Sequence, residues 1–285
     1  MTPLRQRFID DLRLRNYSPR TVEAYVAGVA RLAKFRQRSP DQLGPDDVRA
    51  LQLDLLRRGV SWSLFNQTAC ALRFFFRVTL GRPDGLPLIP YGKRVKSIPC
   101  VLSPEEVLQF LDAIPAGRNR VLLQTAYACG LRHEELLHLR VADVDSRRMV
   151  VVVRQGKGGK DRLVPLSPRL LEVLRAYWRV ERPRTWLFPG RRTRRPLTTC
   201  NLQRLCQRLV AQLRFPKRVT PHTLRHSFAT HMLEAGVDLF TLQGILGHSC
   251  LQTTALYLHV GTRRFRDLPG LLERLMLPTV AGDAA

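Results

Sequence analysis

Acidic residues are scarce in this sequence of 285 residues: 23 Asp and Glu stand against 47 Lys and Arg, which gives a formal charge of +24 at pH 7. So large an excess is more than solubility requires, and it predicts a polyanionic partner. Lysine is scarce too. Only 6 of the basic residues are lysines, and two of them, Lys157 and Lys160, lie in one glycine-rich stretch.

Paired cysteines, long apolar runs and clustered carboxylates are also missing, and each absence excludes a class of protein. The 6 cysteines form no C-x-x-C and have no zinc-like spacing to histidine, so we expect neither a metal site nor a disulfide framework. No apolar run approaches the roughly 18 residues of a membrane span and no signal peptide is recognisable, which predicts a soluble cytoplasmic protein. The lack of clustered carboxylates disfavours a metal-dependent nuclease or transposase.

The first part of the chain carries repeated helix start signals. Thr2-Pro3, Ser18-Pro19 and Gly44-Pro45 can each place a proline at the first helical position, and a fourth helix is predicted over residues 61–80. Apolar residues recur in these segments at spacings of three and four. We therefore predict a helical bundle over residues 1–82, whose arginines either contact phosphates or form solvated helix faces.

Prolines and glycines then interrupt the pattern, which predicts a linker over residues 83–99 with a basic second half that includes Lys93 and Arg94. A second domain is predicted over residues 100–277, ending in a tail helix and followed by a flexible tail, 278–285. Its segments 149–154 and 162–166 read as a β-hairpin around the two lysines. The predicted fold is mainly α with a small β-hairpin or sheet.

Residues 220–259 hold the most informative pattern. Thr220 and Pro221 predict a helix start, Gly247 predicts the end of a second helix, and Ser249 is expected to cap a third. The residues with useful chemistry in this stretch are His222, Arg225, His248 and Tyr257. The first two share one helix face because they are three positions apart, and the three helices can bring all four side chains together.

These residue types suit one reaction. A guanidinium group offers a fork of donors to phosphate, and an imidazole can exchange a proton near neutral pH. A tyrosine hydroxyl needs such neighbours, since a pKa near ~10 leaves about one molecule in a thousand ionised at pH 7. The combination suits attack of a phenolate on a phosphodiester, with a covalent phosphotyrosine as the product.

The chain resembles the tyrosine recombinase, or phage integrase, family of DNA strand-exchange enzymes. The segments that carry the resemblance are 129–136 (C-G-L-R-H-E-E-L), 155–166 (Q-G-K-G-G-K-D-R-L-V-P-L), 222–225 (H-T-L-R), 246–249 (L-G-H-S) and Tyr257. They follow one another in the family's order and spacing. The resemblance implies a SAM-like helical domain that grips DNA, followed by an α+β catalytic domain.

The resemblance also implies a role for each site residue. The implied catalytic set is Arg132, Lys157, His222, Arg225, His248 and Tyr257, supported by Glu135. In this scheme the two arginines and His248 hold the non-bridging oxygens while the tyrosine attacks to give a 3′-phosphotyrosine. Lys157 protonates the 5′-oxygen, and His222 assists proton transfer at the tyrosine. Without the later motifs, a salt bridge from Arg132 to Glu134 or Glu135 would be the preferred interpretation.

Double-stranded DNA is the partner that the resemblance implies. Besides Lys93 and Arg94, the predicted DNA-binding residues are Lys160, Arg191, Arg192, Arg194, Arg195, Gln203, Arg204, Gln207 and Arg208. The last four lie on a predicted helix, 199–213, whose counterpart in the family enters the major groove. A homotetramer acting on paired sites through a Holliday junction is expected, without metal, ATP or membrane. We expect a nucleoid-associated enzyme, and the tail helix docks either on its own domain or on a neighbouring subunit.

Two other functions fit part of the pattern. A type IB topoisomerase uses the same chemistry to relax supercoils, although the short basic N-terminal bundle and the motif spacings favour recombination. A DNA-binding regulator needs only the charge, and it leaves the complete catalytic set unexplained.

Overall fold

The computed structural model describes residues 2–82, 89–92, 99–154, 161–190 and 195–259. The chain divides into two compact units, Met1–Ser97 and Ile98–Ala285. Most of the described residues are helical, and one small antiparallel sheet lies in the second unit. The predicted fold class is therefore confirmed. No helix in the described ranges combines the length and hydrophobicity needed to cross a membrane.

The first unit is a bundle whose helices begin where the sequence predicts. Its α-helices are α1 (Pro3–Leu14), α2 (Pro19–Arg36), α3 (Pro45–Arg57) and α4 (Trp62–Phe74), with a 3₁₀ turn at Pro40–Gln42 and a π turn at Phe75–Thr79. The side chains of Thr2, Ser18 and Ser61 cap α1, α2 and α4 by accepting a hydrogen bond from the backbone three residues on. Local chemistry thus sets the start of each of these helices.

Helices α2 and α4 pack closely at Gly28, where an added Cβ would lie 2.8 Å from Cβ of Ala71. Residues 89–92, which the sequence assigns to the linker, pack on the same unit. Ile89 is buried there, and Gly92 exchanges two hydrogen bonds with the side-chain amide of Asn66 at 3.0 and 2.8 Å. The predicted boundaries 1–82, 83–99 and 100–277 stay predictions, and residues 83–88, 93–98 and 260–285 lie outside the described residues.

The second unit surrounds a buried central helix, α6. Its α-helices are α5 (Pro104–Asp112), α6 (Arg118–Ala128), α7 (His133–Leu137), α8 (Pro168–Glu181), α9 (Thr199–Gln212), α10 (Pro221–Glu234), α11 (Leu239–Leu246) and α12 (Leu251–Ala255), with 3₁₀ turns at Val141–Asp143 and Leu256–His259. The strands are β1 (Val144–Asp145), β2 (Val150–Val153) and β3 (Arg162–Pro165), antiparallel in the order β1-β2-β3. The hairpin β2–β3 was predicted, but the two-residue strand β1 was not.

Two contacts fix the position of α10 within the second unit. The Ser227 hydroxyl accepts a hydrogen bond from the backbone of Leu102 at 2.9 Å and donates to the carbonyl of Thr223 at 2.9 Å. Gly130 has a φ of +56°, and an added Cβ there would lie 2.2 Å from the Phe228 ring. Glycine therefore allows the chain to turn from α6 over α10 toward Arg132.

Candidate active site

The stretch 220–259 folds largely as its pattern predicts. Thr220 caps α10, Pro221 is the first helical residue, and Gly247 ends α11 with a left-handed φ of +62°. The third helix differs from the prediction, because Cys250 rather than Ser249 precedes it and it ends at Ala255. Tyr257 consequently lies on the 3₁₀ turn that follows α12.

Arg225 joins three parts of the second unit. Its Nη1 donates to the carbonyl of Gly130 at 2.7 Å, and its Nη2 donates to the carbonyl of Leu246 at 2.7 Å and to Nε2 of His248 at 3.1 Å. Only 3% of the residue is exposed. Burial, followed by the nearby charge of Arg132, lowers the pKa of Arg225 to about 10, so the group is still a cation at neutral pH.

Arg132 is held from two sides. It precedes α7, and its Nη1 donates to Glu135 Oε1 at 2.7 Å while its Nη2 donates to the carbonyl of Gly247 at 3.0 Å. The salt bridge that the sequence left as an alternative is therefore formed. It is compatible with an anion-binding role, because the same guanidinium also reaches the loop that carries His248.

Glu135 has a second arginine partner that the sequence interpretation did not assign. Arg162 donates from Nη1 and Nη2 to the two oxygens of Glu135 at 2.8 and 2.7 Å, and from Nε to the carbonyl of Ile245 at 2.7 Å. Burial acts to raise the pKa of Glu135, but the hydrogen bonds and charge of Arg162 and then Arg132 bring it down to about 2. Glu135 is thus an anion hydrogen-bonded to two guanidinium groups, and Nη1 of Arg225 lies 3.9 Å from its Oε2.

A signal for Arg162 was present in the sequence. It is the first residue of β3, where alternate side chains share a face, and it lies on the same side as the buried Val164. An arginine on the buried face of a strand needs a counter-ion inside the protein. The sequence could not show which carboxylate supplies it.

His248 is neutral and oriented by two neighbours. Because Arg225 can only donate, Nε2 of His248 accepts, and its Nδ1 therefore carries the proton and donates to the Thr254 hydroxyl at 2.9 Å. Burial and the charges of Arg225, Arg132 and Arg162 lower the pKa of His248 to about 4.

Tyr257 lies beside this group and is almost fully covered, with 3% of the residue exposed. Its ring stacks on His248 with centroids 6.3 Å apart and an interplanar angle of 15°. Its hydroxyl is 2.9 Å from Nδ1 of His226, one residue after Arg225. Burial raises the pKa of Tyr257, while the charges of Arg225 and Arg132 act to lower it.

The predicted proton-transfer residue, His222, lies next to two other histidines. It is exposed on the first turn of α10, and its ring centroid is 5.2 Å from that of His133 and 6.4 Å from that of His226. The sequence interpretation assigned no role to His226. In the part of the chain that the structure describes, no group of three or more His, Cys, Asp or Glu side chains could hold a metal ion.

Part of the predicted DNA-binding set forms one groove. Arg204, Gln207 and Arg208 on α9 line it together with Arg118 and Asn119 at the start of α6, and its volume is about 650 Å³. Gln203 and Arg195 are exposed elsewhere. The other predicted residues lie outside the described ranges: Lys93, Arg94, Lys157, Lys160, Arg191, Arg192 and Arg194.

Known proteins are similar in sequence to this chain along nearly its whole length. The phage integrase family matches residues 100–264, and the N-terminal SAM-like domain of phage integrases matches residues 4–85. An integrase/recombinase of Sinorhizobium fredii, y4qK, is 45% identical over 98% of this chain and 91% of its own length. The tyrosine recombinase XerA of Thermococcus kodakarensis is 36% identical over 95% of this chain and 96% of its own length.

A solved structure of similar fold contains DNA. It is the XerH site-specific recombinase bound to difH substrate in a pre-cleavage complex, which is 25% identical and matches with a TM-score of 0.68 over 89% of this chain and 79% of that chain.

Proposed function

This chain belongs to the phage integrase family and is a site-specific DNA recombinase, and we propose that it cuts and rejoins DNA through a phosphotyrosine formed on Tyr257. The observation that carries the proposal is the group of Arg132, Arg225 and His248 beside this tyrosine. Backbone carbonyls of residues 130, 246 and 247 hold the two guanidinium groups before any substrate arrives.

The reaction follows from the donors in this group. Arg132 and Arg225 bind the non-bridging oxygens of the scissile phosphate and stabilise the charge that develops as phosphorus becomes pentacoordinate. His248 can turn its ring N–H toward the same oxygens once phosphate replaces it as a partner of Arg225. Donors fixed in place beforehand cost no reorganisation during the reaction.

The covalent step conserves the bond energy of the phosphodiester. The Tyr257 hydroxyl gives its proton to a neighbouring imidazole, and its oxygen bonds to phosphorus as the bond to the 5′-oxygen breaks. This leaves a 3′-phosphotyrosine, and Lys157 gives the leaving oxygen its proton. A 5′-hydroxyl from a partner duplex then attacks the phosphotyrosine and restores the tyrosine. Strand exchange by these two steps therefore needs no metal or ATP.

DNA is the substrate, and the proposed assembly on it is a homotetramer that passes through a Holliday junction. The formal charge of +24 favours binding to the phosphate backbone, and XerH binds DNA in a related structure. The groove lined by Arg204, Gln207 and Arg208 adds arginine and amide donors of the kind that read guanine and adenine edges. The relatives y4qK and XerA are named as recombinases, which favours exchange over relaxation.

The direct test is Tyr257→Phe on a nicked suicide substrate, whose short cleaved strand diffuses away and traps the covalent complex. The variant is expected to form no covalent complex, because the attacking oxygen is gone, and to keep its affinity for DNA. Denaturing electrophoresis of labelled DNA measures the first property, and a mobility shift measures the second.

Tyr177→Phe is the matched control. Tyr177 is also buried in the second unit, and its hydroxyl donates to the carbonyl of Leu187 at 2.9 Å. This variant loses a hydroxyl without losing the nucleophile, so covalent trapping should persist. Covalent complexes formed by Tyr257→Phe would contradict the proposed function.

A further inference from the structure

His226 makes the hydrogen bond on the tyrosine hydroxyl. Its Nδ1 lies 2.9 Å from Oη of Tyr257, and the two rings have centroids 5.6 Å apart. His226 follows Arg225 on the rigid helix α10, so the phosphate-binding group and this imidazole are fixed relative to each other. The Tyr257 ring contacts the rings of both His226 and His248.

The surroundings of His226 favour its neutral form. Burial, then His222 and Arg225 on the same helix, lower the pKa of His226 to about 4. The other groups that face it are Tyr257 from the 3₁₀ turn and His248 from the end of α11. None of these four neighbours is an anion at neutral pH, so none stabilises an imidazolium before the reaction. A neutral Nδ1 that faces a phenol accepts its hydrogen bond, so Tyr257 is the donor.

We propose that His226 is a catalytic residue that accepts the proton of Tyr257 during strand cleavage. This inference rests on the proposed function of Tyr257. As the tyrosine oxygen bonds to phosphorus, its proton moves along the existing hydrogen bond to Nδ1 of His226. The bond from phosphorus to the 5′-oxygen breaks, and that oxygen takes its proton from Lys157. In the rejoining step His226 returns the proton to the tyrosine oxygen as it leaves.

The developing charges favour this transfer. An imidazolium forms at His226 while negative charge builds on the phosphate oxygens. Those oxygens are bound by Arg225, the residue that precedes His226. His222 is less suited to the role in this geometry, since the hydrogen bond to the Tyr257 hydroxyl is made by His226 and the His222 ring lies 6.4 Å from the His226 ring between centroids.

The test compares His226→Ala, His226→Asn and His222→Ala in single-turnover cleavage of the suicide substrate between about pH 6 and pH 9. Removal of a general base typically slows a reaction about 10²–10⁴-fold, and His226→Ala is expected to fall in this range near pH 7. Its deficit relative to the wild type should shrink roughly tenfold per pH unit, because a phenol already ionised by solvent needs no acceptor.

The asparagine variant separates proton transfer from simple positioning. An asparagine amide oxygen can accept the tyrosine hydrogen bond, but it cannot hold a proton near neutral pH. His226→Asn should therefore remain about as slow as His226→Ala. Wild-type rates in His226→Asn would mean that the hydrogen bond alone matters, and they would overturn the proposal.

A substrate with sulfur in place of the 5′-bridging oxygen locates the defect within the reaction. The thiolate leaves without an acid, so Lys157→Ala should recover on this substrate, whereas His226→Ala should not. Equal recovery of both variants would contradict a role for His226 at the tyrosine.

The remaining outcomes also decide. Cleavage by His226→Ala at the wild-type rate or faster would mean that the hydrogen bond only holds Tyr257 in place before the reaction. A pH-dependent deficit in His222→Ala alone would assign proton transfer to His222. Either would overturn the proposal. The proposed function is tested separately, because covalent complexes formed by Tyr257→Phe would contradict it whatever the result for His226. Circular dichroism shows which variants are folded, and mobility shifts show which of them still bind DNA.

Discussion

Glu135 is the single residue on which the arginines of the site depend most. Its side chain is 6% exposed and pairs with Arg132 and Arg162. Glu135→Gln would leave two partly buried guanidinium groups without their counter-ion, and the loss of one partner of a buried pair typically costs about 3–5 kcal/mol. We expect a loss of stability of this order in urea unfolding, together with slower cleavage.

The control for this prediction is the neighbouring residue. Glu134→Gln changes the same functional group, but the Glu134 side chain is 50% exposed. Its stability should change by less than about 1 kcal/mol. A Glu135→Gln variant as stable as Glu134→Gln would show that the two arginines do not need this carboxylate.

At this scale the sequence predicts the local part of the site and misses the rest. His222, Arg225, His248 and Tyr257 stand out because their types and spacing suit one reaction. The partners Arg162 and His226 depend on tertiary contacts, the first between β3 and α7 and the second between α10 and the 3₁₀ turn. An isolated sequence does not encode such a contact in any local pattern.

Among helices and strands, too, the sequence predicts the features that depend on local contacts and not those that depend on distant ones. Helix starts set by a cap and a proline, as at Thr220 and Ser103, were predictable because the capping hydrogen bond spans only three residues. The strand β1 has two residues, and its pairing with β2 depends on the intervening turn, where Asp145 Oδ1 accepts from the backbone of Arg147 and Arg148 at 3.0 and 2.9 Å.

Helix α9 is the element whose role can be tested by charge. Arg208 lines the groove with Arg118 and Arg204, and we expect it to contact phosphate. Arg208→Ala should weaken binding to all DNA sequences alike and reduce the slope of log affinity against log salt by about 0.9. Mobility shifts at several salt concentrations, on a target site and on unrelated DNA, measure both effects.

Arg169→Ala provides the comparison for α9. Arg169 lies on α8 with its side chain 87% exposed, so the variant loses the same charge elsewhere on the second unit. Its salt slope should stay close to that of the wild type. If Arg208→Ala instead lost affinity only for the target site, Arg208 would be a base reader, and the phosphate assignment would be wrong.

The whole molecule should be less stable in acid. His226 and His248 have pKa values of about 4, below the ordinary value near 6.5, so the unfolded chain binds more protons than the folded one between these limits. Stability therefore falls as the pH drops from about 6.5 to about 4. Glu135, with a pKa of about 2, extends the loss below about pH 4.3, where the unfolded carboxyl takes up its proton first.

Urea unfolding at about pH 7, 5 and 3.5 measures this effect, but the formal charge of +24 offers a competing cause. Protonation of surface carboxylates raises the net charge, and self-repulsion then destabilises the fold. Salt separates the causes, because it screens exposed charges far more than buried groups. The loss of stability between pH 7 and 5 should persist in high salt. It should be smaller in His226→Asn, because the asparagine amide does not titrate. A loss of stability that salt abolishes, or one that is unchanged in this variant, would assign the acid sensitivity to general charge repulsion instead.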